Sequence, residues 1–238
     1  MLYIIGLGLN KNGISVEGLE IVKRCKRVYL ENYTVDFPYS EGMVEEVIGK
    51  KIIPADRKKV ESLEIVDEAK KMDVALLVYG APLTATPHIS LIEEAKKSRV
   101  KCKMIYAGSV LDAVAETGLQ IYKFGKIASM PMWKRNFEPT SFMEIVKENE
   151  SINAHSLILM DISLHFKTAI KQLKISAEKY DVKLKKILVC QMLGTKHKKI
   201  YYKNVEEFEG EQMKKPYCLV IPSKLHFVEK DFLKRFEE

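Results

Sequence analysis

The sequence predicts an α/β protein, and three observations carry that prediction. Apolar runs of strand length alternate with segments of helical periodicity along the whole chain. Val74–Val78 is continuously apolar, the pattern of a parallel strand covered on both faces. Strands in the first half are separated by helices, whereas those in the second half lie closer together. The first half therefore reads as a mostly parallel sheet and the second as a mixed sheet. The boundary falls near Tyr106, giving an N-terminal domain over 1–106 and a C-terminal domain over 107–238.

In chain order, Leu2–Gly6 reads as a strand and Val16–Cys25 as a helix with Ser15 at its N-cap. Arg27–Leu30 is a second strand, Met43–Gly49 a short helix, Lys51–Ile53 a short strand and Val60–Lys71 a helix. The buried strand Val74–Val78 leads through the loop Tyr79–Thr86 into a helix over Ile89–Lys97, then a strand over Lys101–Ile105. Val110–Ala115 starts as a helix, and the stretch around Gly118, Gly125, Pro131 and Pro139 reads as irregular. Ser141–Glu148 is helical, His155–Met160 a strand, Phe166–Lys179 a helix, and Lys186–Met192, Lys199–Tyr202 and Tyr217–Ile221 are strands. Glu229–Phe236 forms a terminal helix.

Composition narrows the function classes. With 238 residues, 47% hydrophobic and 30% charged, the chain has enough apolar material for real cores and too much for disorder. No apolar run approaches the roughly 18–20 residues of a membrane span. The opening Met-Leu-Tyr-Ile-Ile-Gly reads as a core strand without the basic start of a signal peptide, so a cytoplasmic protein is expected. Cys25, Cys102, Cys190 and Cys218 form no Cys-x-x-Cys pair and read as reduced thiols. The net charge of +7 is spread among acidic residues with no RNA-binding signature, so no nucleic acid is expected; the excess reads mainly as solvated surface, with steering of an acidic protein partner as the weaker alternative.

Three loops carry candidate chemistry. Gly6-Leu7-Gly8-Leu9 follows the first strand, but Lys11 stands where a dinucleotide fingerprint needs its third glycine. The residues alone are equally a tight turn and a ligand loop. Tyr79-Gly80-Ala81-Pro82-Leu83-Thr84-Ala85-Thr86 follows the most apolar strand, at the end where open α/β sheets bind ligands. By itself it is equally a plain connection. Tyr106-Ala107-Gly108-Ser109-Val110 offers small residues and backbone N–H groups, while Ser109 is also a good N-cap. His88, His155, His165, His197 and His226 show no metal-ligand spacing, and neither a nucleophile elbow nor a P-loop is present.

These three loops in this order resemble the tetrapyrrole-methylase superfamily and, within it, the archaeal diphthine synthase family. Further carriers are Gly18-Leu19-Glu20 through Tyr33-Thr34, Pro82–His88, Thr117–Lys126, Asn136–Ser141 and Ile221–His226, so the resemblance covers nearly the whole chain. It implies two α/β domains with an S-adenosylmethionine cleft between them, and a homodimer. The implied reaction is trimethylation of the amino group of 3-carboxy-3-aminopropyl histidine on translation elongation factor 2, giving diphthine. Carried over by position, the cofactor site comprises Leu9, Ala81, Thr84, Ser109, Val110, Met160, Met192 and Tyr217; core packing is the alternative for Met160 and Met192. The family has Asp where this chain has Ala81. Asp161 and Tyr106 are proton acceptors by type, and neither is assigned as catalytic. The alternatives are a methyltransferase of this fold acting on a tetrapyrrole or ribosomal RNA, and a cofactor-binding module without turnover.

Overall fold

Strand β1 (Leu2–Gly6) lies inside the sheet of the first half because it can be buried on both faces. It pairs in parallel with β4 (Val74–Val78) on one side and β5 (Cys102–Ile105) on the other. β2 (Arg27–Glu31) and β3 (Ile53–Ala55) extend the sheet beyond β4 in the order β3-β2-β4-β1-β5, every pair parallel. All five residues of β4 are buried, as its unbroken apolar run requires. Two apolar clusters cover the faces. One gathers Leu2, Ile4, Leu76 and Leu91, and the other Ile5, Ile21, Leu30 and Leu77. The covering helices are α1 (Val16–Arg24), α2 (Glu41–Ile48), α3 (Arg57–Glu61), α4 (Glu64–Ala69) and α5 (Ile89–Lys97), with the short α6 (Val110–Ala113) after β5.

Local chemistry sets these boundaries. Ser15 caps α1 by accepting from the Gly18 N–H at 3.1 Å. The single helix expected over Val60–Lys71 is two helices, because Leu63 turns into the left-handed region at φ 64° and packs against the core. The short strand expected at Lys51–Ile53 instead covers Ile53–Ala55.

The structure, a computed structural model, describes residues 1–237 and divides into two units, the first Met1–Ala113 and the second from Val114 onward. The division follows α6. The carboxylate of Asp112 binds both the N–H and the hydroxyl of Ser109, tying α6 to the loop after β5.

The second unit holds a mixed sheet, β6-β7-β10-β8-β9, formed by β6 (Ala128–Met130), β7 (Ser156–Met160), β8 (Lys186–Gln191), β9 (Lys199–Asn204) and β10 (Tyr217–Ile221). Only β6 and β7 run parallel; the other pairs are antiparallel. β6 lies in the stretch read as irregular, where three residues are too few to show a period. α7 (Ser141–Ser151) and α8 (Phe166–Tyr180) pack on the sheet around Phe142, Phe166, Leu173 and Phe208. α9 (Phe227–Leu233) starts two residues before the expected Glu229, with His226 as its cap. Cys25, Cys190 and Cys218 are buried free thiols and Cys102 is half-buried. Among the described residues no helix is long and apolar enough to cross a membrane.

One buried carboxylate organises the end of the second unit. Glu229 is fully buried and accepts from the Gln120 N–H at 2.9 Å, the His226 N–H at 2.7 Å and the Lys123 ammonium. His155 is also fully buried. Its Nδ1 accepts from the Ser223 N–H at 3.0 Å, so the ring proton sits on Nε2 and donates to Glu229 at 3.2 Å. Burial pushes the Glu229 carboxyl up, but the bonds from Lys123, Gln120, His226 and His155 outweigh it and hold it at about 2. Burial lowers His155 against the pull of Glu229, so the ring stays neutral.

Both shifts have the same sign of linkage. Each group binds protons more weakly folded than unfolded, so each contributes stability that is present above its unfolded value and lost as the pH falls. Stability against urea should therefore decline from about pH 6.5 downward, first through His155 and then, between about 4.5 and 2, through Glu229. Glu229→Gln should cost about 3 kcal/mol at neutral pH and flatten the lower part of that pH profile. Denaturant midpoints measured across the pH range check both outcomes.

Candidate active site

The loop after β1 is held against the loop after β4 by backbone pairing. Gly8 and Gly80 exchange hydrogen bonds of 3.1 and 3.0 Å, and the Leu7 N–H donates to the Val78 carbonyl at 2.8 Å. Both glycines are left-handed, at φ 66° and 69°, a conformation that glycine adopts without a Cβ penalty. The approach is close: a Cβ on Gly6 would stand 2.5 Å from the Gly80 carbonyl oxygen and 3.0 Å from the Ala107 side chain. Gly6, Gly80 and Ala107 thus draw together the loops that follow the three adjacent strands β4, β1 and β5.

Within this junction the structure gathers the candidate residues of the first unit. Leu9 is buried, and its carbonyl accepts from the Tyr79 hydroxyl at 3.2 Å. The Thr84 N–H bonds to the Ala81 carbonyl at 3.2 Å, curling the loop back on itself. Ser109 and Val110 follow at the neighbouring strand end, where a Cβ on Gly80 would meet Gly108 and Ser109 at 3.9 Å, an ordinary van der Waals contact. The Ser109 N–H is not free as expected, because Asp112 takes it at 2.6 Å. The Ser109 hydroxyl accepts from the Leu111 N–H at 3.2 Å, so capping is what this side chain does. The bonds from Ser109 hold the Asp112 carboxyl below its ordinary value.

The candidate residues of the second unit meet through strand register. Cys218 pairs with Leu159 and Tyr217 with Gln191, so Tyr217 at the start of β10 lies at the sheet end where β7 stops at Met160 and β8 passes into Met192. The Met192 N–H donates to the Pro216 carbonyl at 2.8 Å, and Met192 is itself left-handed at φ 49°. Tyr217 donates its hydroxyl to the Leu164 carbonyl at 3.0 Å and sets its ring edge-on to Phe166. Met192 and Tyr217 also meet the core-packing reading, being 6% and 7% exposed; Met160 is half-buried.

Asp161 follows Met160 at this end. Burial raises its carboxyl, but bonds from Ser163 and the Met132 N–H prevail and hold it below its ordinary value, which makes it a poor base. Tyr106 is 70% exposed.

Two residues absent from the candidate set support the first junction. Glu31, fully buried at the end of β2, accepts from the Tyr33 and Thr34 N–H groups at 2.7 and 2.6 Å and from the Thr34 hydroxyl at 2.7 Å. His88, also fully buried, faces the Pro82 carbonyl through Nδ1 at 3.4 Å and meets Tyr33 edge-on. The Thr86 hydroxyl binds the same carbonyl at 2.9 Å. Burial holds His88 below its ordinary value against the charge of Glu31. The sequence signals were the Tyr33-Thr34 and Pro87-His88 pairs among the family carriers.

The sequence model of the tetrapyrrole (corrin/porphyrin) methylases matches residues 1–209, and the chain belongs to that family. It is 35% identical to the diphthine synthase of Methanocaldococcus jannaschii over 98% of both chains. It is 42% identical to the diphthine methyl ester synthase of Schizosaccharomyces pombe over 69% of this chain, and the match spans only 59% of that longer protein. A solved diphthine synthase structure superposes with a TM-score of 0.90 at 30% identity, covering 99% of this chain and 95% of the other. Within the family, the chain falls among the diphthine synthases.

The junction makes a differential prediction. Gly6→Ala drives a Cβ into a backbone carbonyl, whereas Gly80→Ala makes only ordinary van der Waals contact and suffers only its positive φ. Gly80→Ala should cost about 1–2 kcal/mol and Gly6→Ala clearly more, measured as denaturant unfolding free energies.

Proposed function

We propose that the chain is an S-adenosylmethionine-dependent methyltransferase acting on the 3-carboxy-3-aminopropyl histidine of translation elongation factor 2. It trimethylates the side-chain amine to give diphthine. The observation that carries this reading is the likeness to the Methanocaldococcus jannaschii diphthine synthase along essentially the full length of both chains. Supporting it, the loops after β1, β4 and β5 meet at glycines and at Ala107. The cofactor residues are Leu9, Ala81, Thr84, Ser109 and Val110 from the first unit and Met160, Met192 and Tyr217 from the second. The protein is a homodimer working in the cytoplasm.

The residues present fit such a cofactor. The set is mostly apolar with backbone polar groups at glycine turns, as small-molecule sites are. Gly108 leaves open space beside the first junction, since nothing stands within 4 Å of a Cβ built on it. When bound, S-adenosylmethionine supplies an electrophilic methyl on a positively charged sulfur. What the chain must do is hold the amine in line and keep water away, and orientation of this kind contributes of order 7–11 kcal/mol at best. Tyr217, with its hydroxyl spent on Leu164, presents an aromatic surface rather than an acid. Asp161 stays ionised and holds negative charge at the strand end, steadying a cationic centre without taking its proton. The amine therefore sheds its proton to solvent before it is enclosed, and burial then favours its neutral form.

Esterification of the product is a second reading, favoured by the 42% identity to the Schizosaccharomyces pombe diphthine methyl ester synthase over the shared part. Product mass separates the two, three added methyl groups against four.

Calorimetry with S-adenosylmethionine and its demethylated product should show binding of both. Labelled methyl should reach elongation factor 2 that carries the modified histidine. Label on the unmodified factor, or on neither form, overturns the reading.

A further inference from the structure

The chain between β6 and α7 is a built element. From Lys134 to Phe137 it forms a two-residue turn in which Lys134 and Phe137 exchange both backbone hydrogen bonds at 2.9 Å, with Asn136 left-handed at φ 63°. Its base is clamped from α8. The buried Gln172 accepts from the Trp133 N–H at 3.0 Å and donates to the Pro131 carbonyl at 2.9 Å. The Trp133 indole N–H closes the far side on the Pro139 carbonyl at 3.0 Å. A loop fixed at five points has given up its conformational entropy in advance, and that lowers the cost of binding through it.

What this rigid turn presents is charge and one ring. Lys134, Arg135 and Glu138 are exposed, and Phe137 is 57% exposed. Lys134 lies near enough to lower Asp161. Among the described residues, Arg135 forms no ion pair. β6 runs parallel to β7 with Met130 opposite Met160, so the turn leaves the sheet at the end where Met160, Met192 and Tyr217 gather. The Asp161 N–H donates to the Met130 carbonyl at 3.1 Å, joining its root to that end.

We infer that this turn is the docking element for the acceptor protein, with Arg135 binding a carboxylate on it and Phe137 covering an apolar neighbour. The inference rests on the proposed function for the identity of that protein. A guanidinium offers a planar fork to a carboxylate, and a basic tip on a chain of net charge +7 selects an acidic surface. The exposed ring beside it favours a protein surface over a purely electrostatic contact.

The test measures methyl transfer to modified elongation factor 2, direct binding of the factor, and S-adenosylmethionine affinity, all on the full chain. Arg135→Ala should raise KM for the factor about tenfold, leave kcat and cofactor affinity unchanged, and flatten the salt dependence of factor binding. Arg135→Lys should recover part of the loss, and Arg235→Ala, in the turn after α9, should change nothing. If the wild type binds and methylates the factor while Arg135→Ala and Lys134→Ala together move KM less than twofold, the docking role is overturned and the proposed function stands. A fall in kcat or cofactor affinity matching the rise in KM also overturns it. A wild type that neither binds nor methylates the factor overturns both.

Discussion

Gly8 and Gly80 each turn left-handed and bond to one another through both backbone groups, and the first unit is arranged around that contact. Parallel strands must be joined by crossovers, so adjacent strand ends in such a sheet come from distant parts of the sequence. The order β3-β2-β4-β1-β5 puts β1 between β4 and β5, making neighbours of three loops separated by many residues. A side chain on Gly6 would push the β1 and β4 loops apart. The surrounding rings secure the same geometry. Phe37 and Tyr39 pack on Tyr79, whose hydroxyl then holds the Leu9 carbonyl. The polar brace of Glu31, Thr34, His88 and Thr86 fixes the Pro82 side. A backbone contact is thus reinforced by an aromatic cluster and by a buried polar one.

The second unit reaches a similar end by different means. Its strands are mostly antiparallel, so one sheet end collects alternately the finish of one strand and the start of the next. Met160 and Met192 are strand exits, and Tyr217 is a strand entry paired with Gln191. Register does here what loop convergence does in the first unit, and a shift of one residue would turn Tyr217 away from Phe166 and Leu164. The Met192–Pro216 bond and the left-handed Met192 mark where β8 is turned out of the sheet.

Much of the fold was legible in the sequence for identifiable reasons. The continuous run Val74–Val78 reads as a doubly covered strand, and it is wholly buried. Ser15 before a helical period was a cap and behaves as one. What was not legible depended on tertiary contacts. The break at Leu63 leaves the apolar period almost intact, since residues on both sides still face the core. β6 is too short to show alternation and owes its existence to pairing with β7. In the candidate site, the three loops could be named from their glycines and small residues, but not the fate of their polar groups. Ser109 spends its N–H and hydroxyl on Asp112. Nothing in the sequence marks Glu31 and His88 as buried, because for ionisable groups burial is the exception.

The fate of the charged groups bears on how the molecule meets a partner. Two acidic side chains, Glu31 and Glu229, are fully buried, and each is bound by at least two backbone N–H groups. Lys123 is drawn inward with Glu229, but Glu31 forms no ion pair among the described residues. From far away the net charge of +7 acts whole, steering an acidic body toward the protein at a rate that falls with ionic strength. Close in, anions sunk below the surface are shielded from a partner that instead meets exposed lysine and arginine. A basic turn such as Lys134-Arg135 therefore presents more effective charge than the composition suggests. The folding of the acidic residues and the character of the outer surface are consequences of the same arrangement.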